Sequence, residues 1–202
     1  MERPPDRSVK GTLLLARMKY VRSRGEDAVQ RVLEQLSPED QGVIRGMLLP
    51  SSWYPFDLVH RLEASIVAAF GHGNRAELFL DMGRAAATTN LTGKGTQRVY
   101  LRPGDPHFVL KNSPHVYATS HSSGRRTYEQ VGDHAAVLKT ADCAERVNIE
   151  DCLTTVGWLT RAIELAGGRR VTVVEVQCRA RGAACCEYRC EWLPPLPSAR
   201  LG

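Results

Sequence analysis

The sequence predicts an α+β fold, in which a helical N-terminal part precedes an antiparallel sheet packed on helices. Two observations favour this class. The first half of the 202-residue chain repeats apolar residues at helical spacing between polar breaks, and the second half contains two pairs of extended segments separated by a helical one. Helices, two strands, a helix and two strands in that order are typical of an α+β domain with an antiparallel sheet and not of alternating βαβ units.

The N-terminal part is predicted to be a disordered tail over residues 1–9 and a helical segment over residues 10–73. The tail is rich in proline and charge. A first helix is expected to begin near Lys10 and to end at Gly25, and acidic residues then favour a second helix. Ser37 and Pro38 are a typical helix start. The aromatic elbow around Trp53 precedes a helix over residues 56–70.

In the second half, a helix is predicted over about residues 75–89, and another begins at Asp105. Pro114 is expected to bend or end this second helix. Residues 126–131 and 134–140 form a predicted hairpin around a Gly-Asp turn. A helix capped by Asn148 then leads into a second hairpin over residues 171–192, and residues 194–202 are predicted to be a C-terminal tail.

Composition excludes several functional classes. The net charge is +5, but the basic residues are dispersed and aromatic residues make up 6% of the chain, so nucleic-acid binding is not favoured. No apolar run reaches the roughly 18 residues of a membrane span, and no secretory signal is present. We therefore expect a cytoplasmic protein with reduced thiols. Six cysteines then indicate metal binding or core packing before disulfides.

The second hairpin concentrates residues that bind metals. Of its cysteines and carboxylates we assign Glu175, Cys178 and Cys186 as ligands, completed by Cys152 in the first turn of the preceding helix. Three thiolates and a carboxylate predict a closed, structural zinc site without an open position for a catalytic water. Residues three apart point to opposite faces of a regular strand, so Glu175 and Cys178 require a bulge or a long reach.

Two alternatives to this assignment remain. Cys185 and Cys190 are the best substitutes if one of the assigned ligands is wrong, whereas Cys143 is expected to be a spectator. The hairpin cysteines could also be ordinary small core residues, because free cysteine is often buried. A catalytic alternative is disfavoured because no Ser-His-Asp or Cys-His arrangement is legible from the spacing. We therefore expect a protein that is not an enzyme.

The same residues resemble a known family. Glu175-x-x-Cys178, Arg181-Gly182, Cys186-x-Tyr188 and Trp192, with Cys152 and Gly157-Trp158 before them, resemble the 4-vinyl reductase domain. This domain belongs to the nitric-oxide-signalling and Golgi-transport ligand-binding superfamily, which includes small subunits of the TRAPP complex. The resemblance covers roughly residues 74–192. The N-terminal LLARMKY and the elbow around Trp53 resemble a family of myxobacterial paralogues that end in this domain.

The resemblance implies a ligand-binding domain over residues 74–193, with a four- to five-stranded antiparallel sheet, structural zinc and an apolar pocket under the sheet. Candidate pocket residues are His107, Phe108, Tyr117 and Trp158. The function implied is a non-enzymatic sensor or regulatory module that binds a small hydrophobic or aromatic molecule, forms a homodimer and signals through a partner protein. The alternative is a TRAPP-like dimerising scaffold whose pocket is vestigial or holds an acyl chain.

Overall fold

The computed structural model describes residues 7–71, 73–95, 97–144 and 148–194, and it confirms the predicted α+β fold. The helices are α1 (Gly11–Arg22), α2 (Glu26–Glu34), α3 (Pro38–Arg45), α4 (Phe56–Phe70), α5 (Arg75–Leu91), α6 (Pro106–Ser120) and α7 (Ile149–Leu165). The strands are β1 (Ser8–Lys10), β2 (Trp53–Pro55), β3 (Arg125–Gly132), β4 (Ala135–Ala141), β5 (Arg169–Gln177) and β6 (Cys186–Leu193). Among these described residues, no helix combines the length and the apolar character needed to cross a bilayer.

Helix starts follow the side chains that can accept hydrogen bonds from free backbone N–H groups. The Ser37 hydroxyl accepts from the Asp40 N–H at the start of α3, and Asp105 accepts from the Phe108 N–H at the start of α6. Asn148 and Asp151 form a reciprocal capping box at the start of α7. The capping box fixes the start of α7, the helix that carries Cys152 in its first turn.

The main sheet has four antiparallel strands in the order β3-β4-β6-β5. Each predicted hairpin supplies two neighbouring strands, and β4 and β6 join the two hairpins along the sheet. Leu138 on β4 lies opposite Tyr128 on β3 and Tyr188 on β6. Leu138 and Tyr188 are buried on the face of the sheet that packs on helices. This antiparallel arrangement needs no crossover helix between paired strands.

Short strands near the N-terminus differ from the prediction. Strand β1 pairs antiparallel with β2, so Ser8 and Val9 belong to a strand and not to the predicted tail. Val9 is fully buried, which provides the physical reason for its order. The elbow around Trp53 is the partner strand. Residues 1–6 of the predicted N-terminal tail and residues 195–202 of the C-terminal one lie outside the described residues.

Helix α6 continues through Pro114, where the sequence predicts a bend or an end. A proline inside a helix removes one backbone hydrogen bond. Here the turns on both sides of it contribute buried residues, including Leu110 and Tyr117, and α6 packs on β3. Burial of this face offsets the lost hydrogen bond, so tertiary packing overrides the local preference.

The buried apolar side chains form two clusters. One joins β1, α1 to α4 and the first part of α5, with Leu14, Leu62 and Phe79 among its members. The other joins the end of α5, α6, α7 and the four-stranded sheet, with Leu138 and Leu159 among its members. Helices α5 and α7 pack closely along their length. The candidate site lies where these clusters meet.

Candidate ligand and metal site

The four residues predicted as metal ligands come together in the structure. Cys152 on α7, Cys178 after β5, and Cys186 at the start of β6 are buried, and Glu175 on β5 is partly buried. One potential ligand atom from each of the four lies within 4.8 Å of those from the other three. The hairpin and the first turn of α7 therefore enclose one cluster, which we call the cysteine cluster.

Glu175 and Cys178 reach the same point because β5 is irregular near its end. Glu175 lies opposite Tyr188, but Gln177 lies opposite Glu187, so two steps along β5 match one step along β6. This register shift is the bulge that the spacing requires. Cys178 then leaves the strand, and its carbonyl accepts from the N–H groups of Arg181 and Ala183. The tight turn directs its thiol back toward α7.

The sulfur–sulfur distances in the cysteine cluster suit tetrahedral coordination of a metal ion. The Cys152 sulfur lies 3.7 Å from that of Cys178 and 3.6 Å from that of Cys186. Metal–sulfur bonds of about 2.3 Å give a tetrahedron with edges of about 3.8 Å. The Oε1 atom of Glu175 is buried without a hydrogen-bond partner among the described residues, which is costly unless a ligand satisfies it. The four residues could therefore hold a metal ion.

Thiol acidity differs within the cluster. The Cys152 thiol donates to the Cys186 sulfur, which lowers the pKa of Cys186 to about 6 and raises the pKa of Cys152. The Arg179 N–H also donates to the Cys186 sulfur at 3.3 Å and favours its thiolate. Burial raises the pKa of Cys178. Cys186 is thus the most acidic of the three thiols, and a metal ion would displace the thiol protons.

The other cysteines lie outside the cluster. Cys185 is half-exposed, and its thiol lies near the Gln177 side chain. Cys190 is buried in the core below the sheet, and burial raises its pKa to about 12. The Cys143 sulfur lies 3.3 Å from the Tyr117 hydroxyl, in the wall of a neighbouring cavity.

That cavity has a volume of about 180 Å³ and lies between the helices and the sheet. The apolar part of its wall includes Phe56, Val59, Val116, Tyr117 and Trp158. Cys152 and Cys186 of the cysteine cluster also line the cavity. The cavity is therefore built from both apolar clusters of the fold.

The residues predicted for the pocket divide into two pairs. Tyr117 and Trp158 line the cavity. His107 and Phe108 do not belong to its wall, contrary to the prediction. His107 lies 2.8 Å from the Tyr128 hydroxyl and 2.9 Å from the Asp133 carbonyl, and its ring packs edge-on against Trp192. Helical periodicity explains the position of Phe108, since residues nine apart, as Phe108 and Tyr117 are, lie on opposite sides of a helix.

The sequence did not single out several polar residues of the cavity wall. Arg17 and Glu63 form a buried ion pair with an N–O distance of 2.8 Å. Arg126 donates to the Thr140 and Ser113 hydroxyls. His121 is stacked on Tyr117, with ring centroids 4.1 Å apart. No motif links these residues, because they come from distant segments that only the tertiary structure brings together.

Known structures share this fold. An oxygen-binding H-NOX domain related to soluble guanylate cyclases is 16% identical to this chain, with a TM-score of 0.68. The similarity covers 96% of this chain and 100% of that domain. A mutant of the T. tengcongensis H-NOX is 18% identical, with a TM-score of 0.67 and coverages of 93% and 100%. An S. oneidensis H-NOX protein in the Fe(II)NO ligation state is 12% identical, with a TM-score of 0.66 and coverages of 91% and 99%. No curated protein matches the chain significantly.

This comparison corrects the cofactor prediction. Two of the similar structures are described by their haem, one by its distortion and one by its redox potential, so the comparison points to haem and the prediction of structural zinc is wrong on this finding. Whether haem suits this chain depends on its own residues.

The described residues do not fit haem. The cavity volume of about 180 Å³ is below the roughly 300–1,000 Å³ of pockets for drug-sized ligands, and a porphyrin is larger still. Both ring nitrogens of His107 have hydrogen-bonding partners away from the cavity. Among the described residues of the wall, the histidine is His121. Its ring is stacked on that of Tyr117 with an interplanar angle of 8°. Neither histidine is thus well placed as an axial ligand, and the cavity is too small for a macrocycle.

Sequence comparison identifies the family. A family model described as "Protein of unknown function (DUF2378)" matches residues 6–193. The match includes the N-terminal helices, the cavity and the cysteine cluster in one unit. The chain therefore belongs to the DUF2378 family.

Proposed function

We propose that this protein is a sensor or regulatory module that holds a small hydrophobic or aromatic molecule in the cavity and signals through a partner protein. The observation that carries the proposal is the cavity of about 180 Å³ between the two apolar clusters. A cavity of about 150 Å³ with apolar walls is known to bind benzene, so this volume suits a single substituted ring. The resemblance to the 4-vinyl reductase domain and the H-NOX fold both support a ligand-binding role.

Signalling would follow from the position of the ligand. The cavity wall contains Phe56 and Val59 of α4 from one cluster and Trp158 and Tyr188 from the elements of the other. A ligand that contacts both clusters favours the arrangement of helices that fits it best, and such a bias can change an outer surface. The proposal is a binding function without catalysis.

The sheet edge supports the proposed partner or dimer contact. Strand β5 is an edge strand of the main sheet, and its Val174 and Val176 side chains are 50% and 42% exposed. An uncovered edge strand with apolar residues is suited to pairing with another chain. The homodimer implied by the family resemblance therefore belongs to the same proposal.

Titration calorimetry with toluene and phenol tests the cavity. We expect saturable binding to the purified protein and weaker binding, by about tenfold or more, to Ala86→Leu, because the longer side chain fills part of the space that the probe needs. Ala118→Leu on the exposed side of α6 is the matched control and should bind as the wild type does. The molar mass of the complex, measured by light scattering with and without phenol, tests the dimer.

Two outcomes would overturn this function. Absence of binding by both probes would favour the scaffold alternative. A ligated haem spectrum after addition of haemin, lost in His121→Gln, would identify a haem sensor instead.

We also propose that Cys152, Glu175, Cys178 and Cys186 bind one thiophilic metal ion that holds the second hairpin against α7. The support is the mutual approach of the four ligand atoms within 4.8 Å and the unpartnered Glu175 oxygen. Such an ion would fix the wall that the cysteine cluster shares with the cavity.

Cys178→Ala tests this metal site. Elemental analysis across the first-row transition metals should find about one ion per wild-type chain and a loss of most of it in the variant. The melting temperature should fall by about 10 °C, because binding at a structural metal site contributes to folding free energy. Cys185→Ala, outside the cluster, should retain the metal and the melting temperature. A metal-free wild type, or an unchanged metal content in Cys178→Ala, would contradict the assignment.

A further inference from the structure

We propose that the ligand of the cavity carries a carboxylate, which Arg126 binds. The proposal rests on the proposed function and names its ligand class: a small aromatic or short-chain carboxylic acid in its anionic form. It depends on how Arg126 is held, on the charges around it and on the size of the cavity.

Arg126 is held by two other elements, β4 and α6. Its Nε–H donates to the Thr140 hydroxyl of β4 at 3.0 Å, and Nη1–H donates to the Ser113 hydroxyl of α6 at 3.4 Å. The guanidinium carbon lies 4.8 Å from the centre of the Tyr117 ring. These contacts orient the group at the cavity wall but leave further N–H donors of its planar fork for a ligand.

The described charges of the cavity wall do not compensate that of Arg126. Arg17 pairs with Glu63, and Asp151 pairs with His60 outside the wall. Among the residues that the structure describes, Arg126 has no carboxylate within ion-pair distance, and its two hydrogen-bonding partners are neutral hydroxyls. A partly buried cation is costly unless an anion compensates it. A ligand carboxylate would supply that anion.

Another arginine of the wall, Arg179, faces a different group. Arg179 donates from Nη2 to the Cys143 carbonyl, and its backbone N–H donates to the Cys186 sulfur. It therefore lies beside the cysteine cluster, whose thiolates and carboxylate provide negative charge. Its Nη1 is buried without a partner in the described residues and provides a second donor at the wall.

The positive charge of Arg126 acts on two neighbouring side chains. Burial and, after it, the charge of Arg126 lower the pKa of His121 to about 4, so His121 is neutral at physiological pH. The positive charge of Arg126 also opposes the rise of the Cys190 pKa that burial causes. Neutral His121 and the Tyr117 ring then form a flat wall beside the guanidinium, which suits the ring of an aromatic acid.

Benzoate, benzamide and toluene are the probes that test this inference by calorimetry. Benzoate and benzamide have nearly the same shape, but benzoate carries a negative charge and benzamide is neutral, with an NH2 donor in place of one acceptor oxygen. We expect the wild type to bind benzoate at least about tenfold more tightly than benzamide, the effect of a charge-assisted hydrogen bond. In Arg126→Met this preference should disappear, while benzamide and toluene still bind.

Two further variants serve as controls. Arg125→Met removes the neighbouring exposed arginine, which pairs with Asp142 on the surface, and should keep the preference for benzoate. Arg126→Lys keeps the charge but loses the planar fork, so its preference should be intermediate; this variant tests the proposal even if Arg126→Met does not fold.

The outcomes separate the two proposals. Toluene binding with equal affinities for benzoate and benzamide would overturn the carboxylate inference and leave the cavity function intact. An undiminished benzoate preference in Arg126→Met and Arg126→Lys would also overturn it. A wild type that binds none of the three probes would overturn both proposals.

Discussion

At the scale of single residues, two histidines show how environment sets charge. His121 is enclosed in the cavity wall, and burial followed by the charge of Arg126 lowers its pKa to about 4. His60 lies 3.1 Å from a carboxylate oxygen of Asp151, and this hydrogen bond raises its pKa. A histidine is thus neutral at position 121, whereas at position 60 its protonated form is favoured.

His121 gives a pH prediction. Because its folded pKa of about 4 is below the ordinary 6.5, the unfolded chain binds more protons between these values, and stability is lost as the pH falls through this window. Lowering the pH from 6.5 to 4.5 should decrease the free energy of unfolding of both proteins. We expect this decrease to be about 2 kcal/mol smaller for His121→Gln than for the wild type, as measured by urea denaturation.

His60→Gln is the control for this experiment. Because the pKa of His60 is raised in the folded protein, His60 contributes to the free energy of unfolding. This contribution is fully present below the pKa that His60 has in the unfolded chain and is lost only as the pH rises through its pKa in the folded protein. The His60→Gln variant should therefore follow the wild type closely between pH 6.5 and 4.5. Equal pH dependence of the wild type and His121→Gln would contradict the assigned burial of His121.

At the scale of elements, the closest packing is between α5 and α7. A Cβ at Gly83 would lie 2.1 Å from the Thr154 carbonyl oxygen, and a Cβ at Gly157 would lie 2.1 Å from the Leu80 carbonyl oxygen. Each helix therefore presents a glycine to the backbone of the other. This close approach fixes the position of α7, which carries both Cys152 and Trp158 to the site.

Gly157→Ala tests this helix contact. The added methyl group forces the helices apart, and we expect the free energy of unfolding to fall by about 1–3 kcal/mol in urea titrations. Gly42→Ala is the matched control in the exposed face of α3, where nothing lies within 4 Å of the new methyl group. It should be neutral or stabilising by up to about 1 kcal/mol, because alanine favours a helix. A neutral Gly157→Ala would argue against the close contact.

Secondary structure was largely predictable at this scale because its signals are local. Ser37 and Asn148 cap helices as expected, and Gly25, with a φ of 98°, separates α1 from α2. Strands β1 and β2 were not predicted, because three residues are too short for a pattern and their pairing joins segments more than forty residues apart. The continuous α6 depends on packing around Pro114 that no local rule contains.

At the scale of the whole molecule, the cavity is the meeting point of two cores. The cluster of the N-terminal helices and the cluster of the sheet each pack well, but their junction retains about 180 Å³ of space and several polar groups. The buried Arg17–Glu63 pair joins α1 to α4 at this junction. A ligand there would complete the packing between the cores, which is the physical basis of the proposed sensor.

The sequence by itself determined the α+β class, most helix boundaries and the four residues of the cysteine cluster, because caps, periodicity and thiol spacing are properties of neighbouring residues. The tertiary structure alone decided the strand order, the choice of a bulge over a long reach at Glu175, and the cavity wall with Arg126 and His121. These features depend on contacts between segments far apart in the chain. Their energies come from burial and charge in three dimensions, which no single stretch of sequence specifies.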